Sequence, residues 1–171
     1  AAGIPPSWTQ EQSHPSWAWS ANSESSQSAP NAMAIIGPTQ WSEEPVVVRL
    51  RSPEFSVPAA GATLHFKLSM AVGDESCVDD TLSILVGEET LSVACESTES
   101  WIDMALPLSA TDESVHMTFE AKLATETASA VDMRIDDIEV LANYPCATEE
   151  ACFEGVCVVG TCMTQAIPDC E

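Results

Sequence analysis

Strict alternation of apolar and polar residues is the feature that most limits the fold of this 171-residue chain. Between residues 62 and 72, apolar side chains occupy every second position: Leu64, Phe66, Leu68 and Met70. Successive side chains of a strand point to opposite faces, so this period of two predicts a strand with one buried face. The sequence shows no convincing 3.6-residue apolar period of an amphipathic helix. The other predicted strands are 32–36, 46–50, 81–86, 90–95, 101–108, 115–123 and 131–141.

Turn and edge signals organise these strands. Gly87 opens a short polar turn between 81–86 and 90–95, which predicts a hairpin. Pro107 cannot donate a ladder hydrogen bond, so we expect 101–108 to be an edge strand. Strands at intervals of about ten residues with turns between them predict an antiparallel β-sandwich.

The last long strand carries an irregularity. Met133 and Ile135 share one face, but the alternation slips at Asp136-Asp137, so that Ile138 faces the opposite way. One extra residue in a strand reverses the facing of every side chain after it. A β-bulge at these two aspartates would return both apolar sets to the core.

Domain organisation follows from length and from the tryptophans. The length suits one sandwich with a small appendage, so we predict a sandwich over 1–144 and a disulfide-rich cap over 145–171. Four of the five tryptophans lie in the first 45 residues, which indicates a packed N-terminal arm. Trp17 and Trp19 have strand spacing and two interpretations: exposed rings that stack on a sugar, or core rings that close the arm over a sheet.

Charge excludes two classes of partner. The chain has 27 Asp and Glu against 5 Lys and Arg, a formal net charge of -22. Such a chain repels phosphate backbones and anionic lipid, which argues against nucleic-acid binding. Hydrophobic residues make up 45% of the chain, too many for intrinsic disorder. No apolar run approaches about 18 residues, so we expect no membrane insertion.

Cysteine density points to an oxidising compartment, and hence to a secreted or cell-surface protein. Five of the seven cysteines lie in the last 26 residues, with spacings unlike the short pairs of zinc sites, the alternative interpretation. Cys77 and Cys95 flank the predicted hairpin and are placed to bridge its base. Because seven is odd, one cysteine, with Cys170 the first candidate, has no partner among these seven: the alternatives are a covalent link to another chain, a partner in a further downstream segment, or a free thiol. The predicted disulfide cysteines are Cys77, Cys95, Cys146, Cys152, Cys157 and Cys162.

Several motifs together resemble a known group of extracellular modules. After the Trp-rich arm come Leu-x-Ser-Pro-x-Phe at 50–55, Leu-x-Phe at 64–66, Cys-x-Asp-Asp-x-Leu-x-Ile-x-Val at 77–86 and Ile-Asp-Asp-Ile-x-Val at 135–140. This series, over residues 7–144, resembles MAM-type and galactose-binding-like modules. The resemblance implies an all-β, antiparallel jelly-roll β-sandwich.

The tail carries a second resemblance. Cys146-x₅-Cys152-x₄-Cys157-x₄-Cys162 is similar to short cysteine repeats of secreted bacterial proteins, especially myxobacterial ones. The repeat implies a two-disulfide cap, for which we favour the alternating pairing of Cys146 with Cys157 and Cys152 with Cys162. Four cysteines allow three pairings, so the connectivity stays open.

Two pairs of aspartates are candidate metal ligands. Related jelly rolls often bind a structural calcium through an acidic residue of the last strand, which implies Asp136 here, with Asp137 as the alternative. Carboxylate oxygens are the hard ligands that Ca²⁺ prefers. Asp79 and Asp80 form a second acidic cluster. The alternative for both pairs is solvated carboxylates at a strand irregularity and at a hairpin end.

These observations predict a secreted, non-catalytic recognition or adhesion module, stabilised by calcium, that binds an extracellular glycan or protein. Alternatives are a self-assembling structural subunit of an extracellular filament or surface layer, or an accessory domain of a larger secreted enzyme. Enzymatic activity ranks last because the sequence has no Gly-x-Ser-x-Gly, His-Glu-x-x-His or phosphate-loop motif.

Overall fold

The computed structural model describes residues 4–23, 26–28, 32–36, 44–71, 81–93, 98, 100–111, 113–123, 132–146, 153–158 and 161–166. All regular structure within these ranges is β-strand. The strands are β1 (Thr9–Gln12), β2 (Trp19–Asn22), β3 (Ala32–Ile36), β4 (Val46–Arg51), β5 (Phe55–Ser56), β6 (Ala62–Ala71), β7 (Thr81–Val86), β8 (Glu89–Val93), β9 (Ile102–Leu108), β10 (Ser114–Val115), β11 (Met117–Leu123), β12 (Asp132–Ala142), β13 (Tyr144–Cys146), β14 (Phe153–Val158) and β15 (Thr161–Ala166). In the described ranges, no helix has the length and apolar character that a membrane span requires.

Two five-stranded sheets form the sandwich. The front sheet has the order β1-β4-β11-β7-β8, and the back sheet has the order β2-β3-β12-β6-β9. Every pair of neighbouring strands is antiparallel. The predicted jelly-roll β-sandwich is confirmed, as are the β7–β8 hairpin and the edge position of β9.

The core lies between the sheets because each alternating strand turns its apolar face inward. Phe66 of the back sheet meets Phe119 of the front sheet edge to face, with ring centroids 5.4 Å apart. Each large side chain removed from water contributes about 1.5–3 kcal/mol to folding. The largest fully buried side chains are Trp19, Phe66, Phe119, Ile35, Leu50, Leu64, Leu68, Met70, Leu82, Ile84, Leu123 and Met133.

The N-terminal arm is part of both sheets. It supplies β1 at an edge of the front sheet and β2 at an edge of the back sheet. Trp17 and Trp19 are only 5% and 1% exposed, and Trp19 pairs in register with Ile35. Of the two interpretations of these rings, the exposed rings that stack on a sugar are therefore wrong and the core rings are confirmed: the strand spacing that aligns them turns both toward the core. Trp8, half-buried, stacks on Phe119 at 6.5 Å.

The predicted β-bulge in β12 is confirmed. The pairing of β12 with β6 shifts register between Asp136 and Glu139. Asp137 has a φ of 50°, in the left-handed region that aspartate tolerates better than most residues. The bulge keeps Met133 and Ile135 in the core and brings Ile138 against it.

The tail forms a separate antiparallel sheet of β13, β14 and β15. Its register places Cys157 opposite Cys162, and Cys146 opposite Gly155. Cys157 and Cys162 are not partners in the alternating pairing that the cysteine repeat implies. The disulfides and the domain boundary at residue 144 stay predictions, since Cys77, Cys95, Cys152 and Cys170 lie outside the described residues.

Candidate functional site

The outer face of the front sheet carries three of the chain's five Lys and Arg side chains: Arg49, Arg51 and Lys122. Arg49 and Arg51 are both on β4, two residues apart, so they point to the same face. Strands β1 and β11 flank β4 on its two sides. The two arginines consequently lie in two successive cross-strand rows of the sheet.

The first row is an acid–base–acid series. Glu11 of β1 and Glu120 of β11 are the register partners of Arg49. Arg49 Nη1 lies 3.7 Å from Glu11 Oε2, and Arg49 Nε donates to Glu120 Oε2 at 2.6 Å. The charge of Arg49 is therefore matched on both sides.

Glu120 is the buried carboxylate of this face, with its side chain only 10% exposed. Burial alone raises the pKa of a carboxyl group, because it disfavours the charged form. Hydrogen bonds from Arg49 and from Lys122, whose Nζ lies 3.3 Å from Glu120 Oε1, outweigh burial and hold the pKa of Glu120 below its usual value. Glu120 is thus kept ionised between two cations.

The second row differs in its flanks. Thr9 of β1 and Thr118 of β11 are the register partners of Arg51, and Leu85 of β7 follows Thr118 across the sheet. The side chain of Arg51 is exposed. It has no carboxylate within 4.0 Å among the residues that the structure describes.

Glu11 and Arg49 of the first row, and the whole of the second row, line an open cleft of about 440 Å³. Glu113 and His116, on either side of β10, contribute further polar side chains to its wall. His116 Nδ1 lies 3.0 Å from the carbonyl oxygen of Ser52, which can only accept, so this nitrogen donates. The other ring nitrogen lies 3.3 Å from Glu54 Oε1, and these two contacts fix the ring at the cleft.

The predicted metal ligand Asp136 has other partners. Its side chain is buried, and Oδ2 accepts hydrogen bonds from the backbone N–H groups of Gln27 and Ser28 at 2.8 and 2.9 Å. Its Oδ1 accepts from the Ser28 hydroxyl at 3.2 Å and from the N–H of Asp137 at 2.9 Å. This carboxylate ties segment 26–28 to the bulge.

A calcium ion does not fit this donor set. Ca²⁺ takes about 6–8 oxygen ligands through free lone pairs, whereas four hydrogen-bond donors already converge on Asp136. Within the described ranges, no three His, Cys, Asp or Glu side chains are grouped so as to hold a metal ion. Asp79 and Asp80 lie outside those ranges, so a calcium site there stays a prediction.

Two other clefts are smaller than the front cleft. One of about 410 Å³ on the back sheet has Lys67 and Asp103 in its wall, 2.9 Å apart. This hydrogen bond raises the pKa of Lys67, although its desolvation acts in the opposite direction. The other, of about 230 Å³, has half-buried Trp8 and Asp137 in its wall. The spacing of Arg49 and Arg51, which places two cations on one face of a strand, is a sequence signal of the front cleft that the motifs did not reveal.

Three of the solved structures that are similar to this chain come from proteins with different roles. The carbohydrate-binding module TmCBM61, in complex with β-1,4-galactotriose, has a TM-score of 0.57 at 14% identity over 82% of this chain and 91% of that chain. The K3 cleaved adhesin domain of Lys-gingipain from Porphyromonas gingivalis W83 has a TM-score of 0.55 at 17% identity, over 82% and 94%. The glycoside hydrolase domain of Endo-D from Streptococcus pneumoniae R6 has a TM-score of 0.58 at 8% identity, over 87% and 26%.

At these identities the structural likeness shows the fold alone. No curated protein matches the chain in sequence. The family is shown instead by a match in sequence to a family profile. The profile of the MAM domain, meprin/A5/mu, matches residues 5–147, and the chain belongs to the MAM domain family.

Proposed function

We propose that this chain is an extracellular, non-catalytic recognition module that binds a glycan in the cleft on the outer face of the front sheet. The observation that carries the proposal is the composition of that cleft. Hydrogen-bond donors and acceptors alternate across it, on strands that the core holds in place. Two of the similar solved structures are a carbohydrate-binding module and an adhesin domain, which supports a binding role.

The chemistry of the cleft suits a sugar. Each sugar hydroxyl both donates and accepts, and so do the hydroxyls of Thr9 and Thr118. Arg51 supplies donors, and Glu113 supplies an acceptor. The volume of about 440 Å³ falls in the range of about 300–1,000 Å³ that is usual for small-molecule sites. Strands position such groups more accurately than loops do.

The state of Glu120 favours binding over glycoside hydrolysis. A hydrolase needs one carboxyl group with a raised pKa as its general acid. The pKa of Glu120, the buried carboxyl of this face, is lowered, and Arg49 and Lys122 occupy both of its oxygens. Glu120 therefore stabilises the sheet as a carboxylate and has no proton to donate as a general acid.

The experiment is glycan-array screening followed by calorimetry with the wild type and two variants. Thr118→Phe fills the cleft with a side chain that suits a strand, and Ser69→Phe makes the matched change on the outer face of the back sheet. We expect the wild type and Ser69→Phe to bind a common glycan and Thr118→Phe to lose it. Equal binding by both variants would show that the glycan binds outside the front cleft. A wild type that binds no glycan would contradict the proposed function.

The compartment and the covalent state are part of the same proposal. The seven cysteines support three disulfides with one cysteine left over for a link to another chain. We expect the three disulfides within the chain to remove six hydrogens from each chain, and the link through the seventh cysteine to remove one more and to give a covalent dimer. Non-reducing electrophoresis and light scattering test the link: a dimer that reductant dissociates supports it, and a monomer that alkylates once rejects it.

A further inference from the structure

We propose that the glycan is acidic and that Arg51 binds the carboxylate of a uronic acid unit. This inference rests on the proposed function, and it names the class of sugar that the cleft selects. The central observation is the contrast between two arginines on one strand. Arg49 has an acid on each side, whereas Arg51 has a threonine on each side.

The ion pairs of the other described Lys and Arg side chains show that this contrast is unusual for the protein. Every other Lys and Arg side chain there has a carboxylate partner: Arg49 with Glu11 and Glu120, Lys67 with Asp103, Lys122 with Glu120, and Arg134 with Asp132. The chain has 27 acidic residues to draw on. Arg51 nevertheless stands exposed in a cleft with no carboxylate of the described chain within 4.0 Å. The guanidinium of Arg51 is therefore available to an anionic group of a ligand that enters the cleft.

The geometry of the flanking residues favours a carboxylate on a sugar over other anions. A guanidinium presents a planar pair of N–H donors that matches a carboxylate in two parallel hydrogen bonds. Thr9 and Thr118, in register on either side of Arg51, offer hydroxyls to the ring hydroxyls next to that carboxylate. A net charge of -22 opposes every long polyanion, an acidic polysaccharide as much as a nucleic acid or an anionic membrane, so the preference for a sugar rests on the threonine hydroxyls that flank Arg51.

The rest of the cleft does not cancel this selectivity. Glu11 is engaged by Arg49, and Glu54 lies 3.3 Å from His116. Glu113 lines the same cleft, where it can accept from a sugar hydroxyl. The carboxylate of one uronic acid unit can therefore pair with Arg51, which has no carboxylate partner among the described residues. The neutral hydroxyls of the sugar can donate to Glu113.

The first test compares four probes by calorimetry: polygalacturonate, its methyl ester, neutral galactan and a sulfated polysaccharide. The ester keeps the sugar backbone and removes the negative charge. We expect polygalacturonate to bind at least about tenfold more tightly than its ester, the effect of losing one charge-assisted contact. Equal binding of the acid and the ester overturns the inference and leaves glycan binding intact. Preference for the sulfated probe overturns the carboxylate assignment, and absence of binding to any glycan on the array overturns the proposed function as well.

The second test uses variants of the wild-type chain. Arg51→Gln removes the charge, Arg51→Lys keeps the charge without the planar fork, and Lys67→Gln makes the matched charge change on the back sheet. We expect a loss of about tenfold or more for Arg51→Gln, a smaller loss for Arg51→Lys and none for Lys67→Gln. Polygalacturonate binding by Arg51→Gln at wild-type affinity would refute the assignment. Equal losses in Arg51→Gln and Lys67→Gln would show a net-charge effect and refute it too.

Discussion

Asp136→Asn tests the interpretation that a hydrogen-bonded carboxylate, with no metal ion, holds the bulge of β12. Asp136 is 7% exposed and accepts four hydrogen bonds, two on each oxygen. Asparagine keeps the shape but replaces one oxygen with an NH₂ group that cannot accept. Whichever way the amide turns, it faces at least one backbone N–H with another donor.

The expected loss follows from the contacts. The less costly orientation keeps the carbonyl oxygen toward Gln27 and Ser28 and sacrifices the bonds on the other side. The Ser28 hydroxyl can rotate to accept from the new NH₂, so the irreplaceable loss is the N–H of Asp137. A hydrogen bond to a charged group is worth about 1.5–3 kcal/mol. We therefore expect Asp136→Asn to lower the free energy of unfolding by about 2 kcal/mol.

The assay is urea unfolding at neutral pH with intact disulfides, repeated in EDTA and in Ca²⁺. Asp103→Asn is the matched control, since Asp103 is 84% exposed and a solvent-screened ion pair such as the one it makes with Lys67 contributes little to stability. We expect the Asp136→Asn loss to be the same in both media. A loss under about 0.5 kcal/mol would refute the hydrogen-bond argument. If EDTA destabilised the wild type but not Asp136→Asn, Asp136 would be a calcium ligand after all.

Three further predictions follow from other contacts. Because the pKa of Glu120 lies below its ordinary value of 4.5, its stabilising effect is present above that value and is lost as the pH falls through the lowered pKa. The unfolding difference between the wild type and Glu120→Gln should therefore shrink in acid. Gly61→Ala should cost about 1–3 kcal/mol in thermal unfolding, since Gly61 has a φ of 78° and a Cβ would lie 2.9 Å from the Leu108 carbonyl oxygen. Raising NaCl from about 10 to about 150 mM should strengthen binding of an acidic glycan, because it screens the net charge beyond about 8 Å; weaker binding would contradict this.

The fold was predictable wherever local alternation decides which face is buried. β6 reads as apolar at every second position, and its burial follows that pattern. The bulge was predictable for the same reason, since two apolar sets out of phase in one strand can both be buried only if the strand gains a residue. In each case a few neighbouring residues contain the whole argument.

The front cleft could not be predicted this way because it depends on which strands are neighbours. Arg49 and Glu120 are 71 residues apart, and nothing local to either strand places β11 beside β4. The burial of Trp17 and Trp19 could not be predicted for a related reason. Their spacing shows that both rings share a face, but only the pairing of β2 with β3 shows that this face is the core.

We expect the row of Arg49 to stabilise the front sheet and the row of Arg51 to bind the ligand. The substitutions Arg49→Gln and Arg51→Gln test this difference. Arg49→Gln leaves buried Glu120 without its closest cation, so we expect a loss of about 1–2 kcal/mol, moderated by the partial exposure of Arg49. Arg51→Gln removes no ion pair with the described residues, so its stability should stay within about 0.5 kcal/mol of the wild type while acidic-glycan binding falls. Residues two apart on one strand would then differ because one has acids as register partners and the other has threonines. If Arg51→Gln destabilised the protein as much as Arg49→Gln, Arg51 would be part of the sheet's ion-pair system, and the cleft would have no cation free for a ligand.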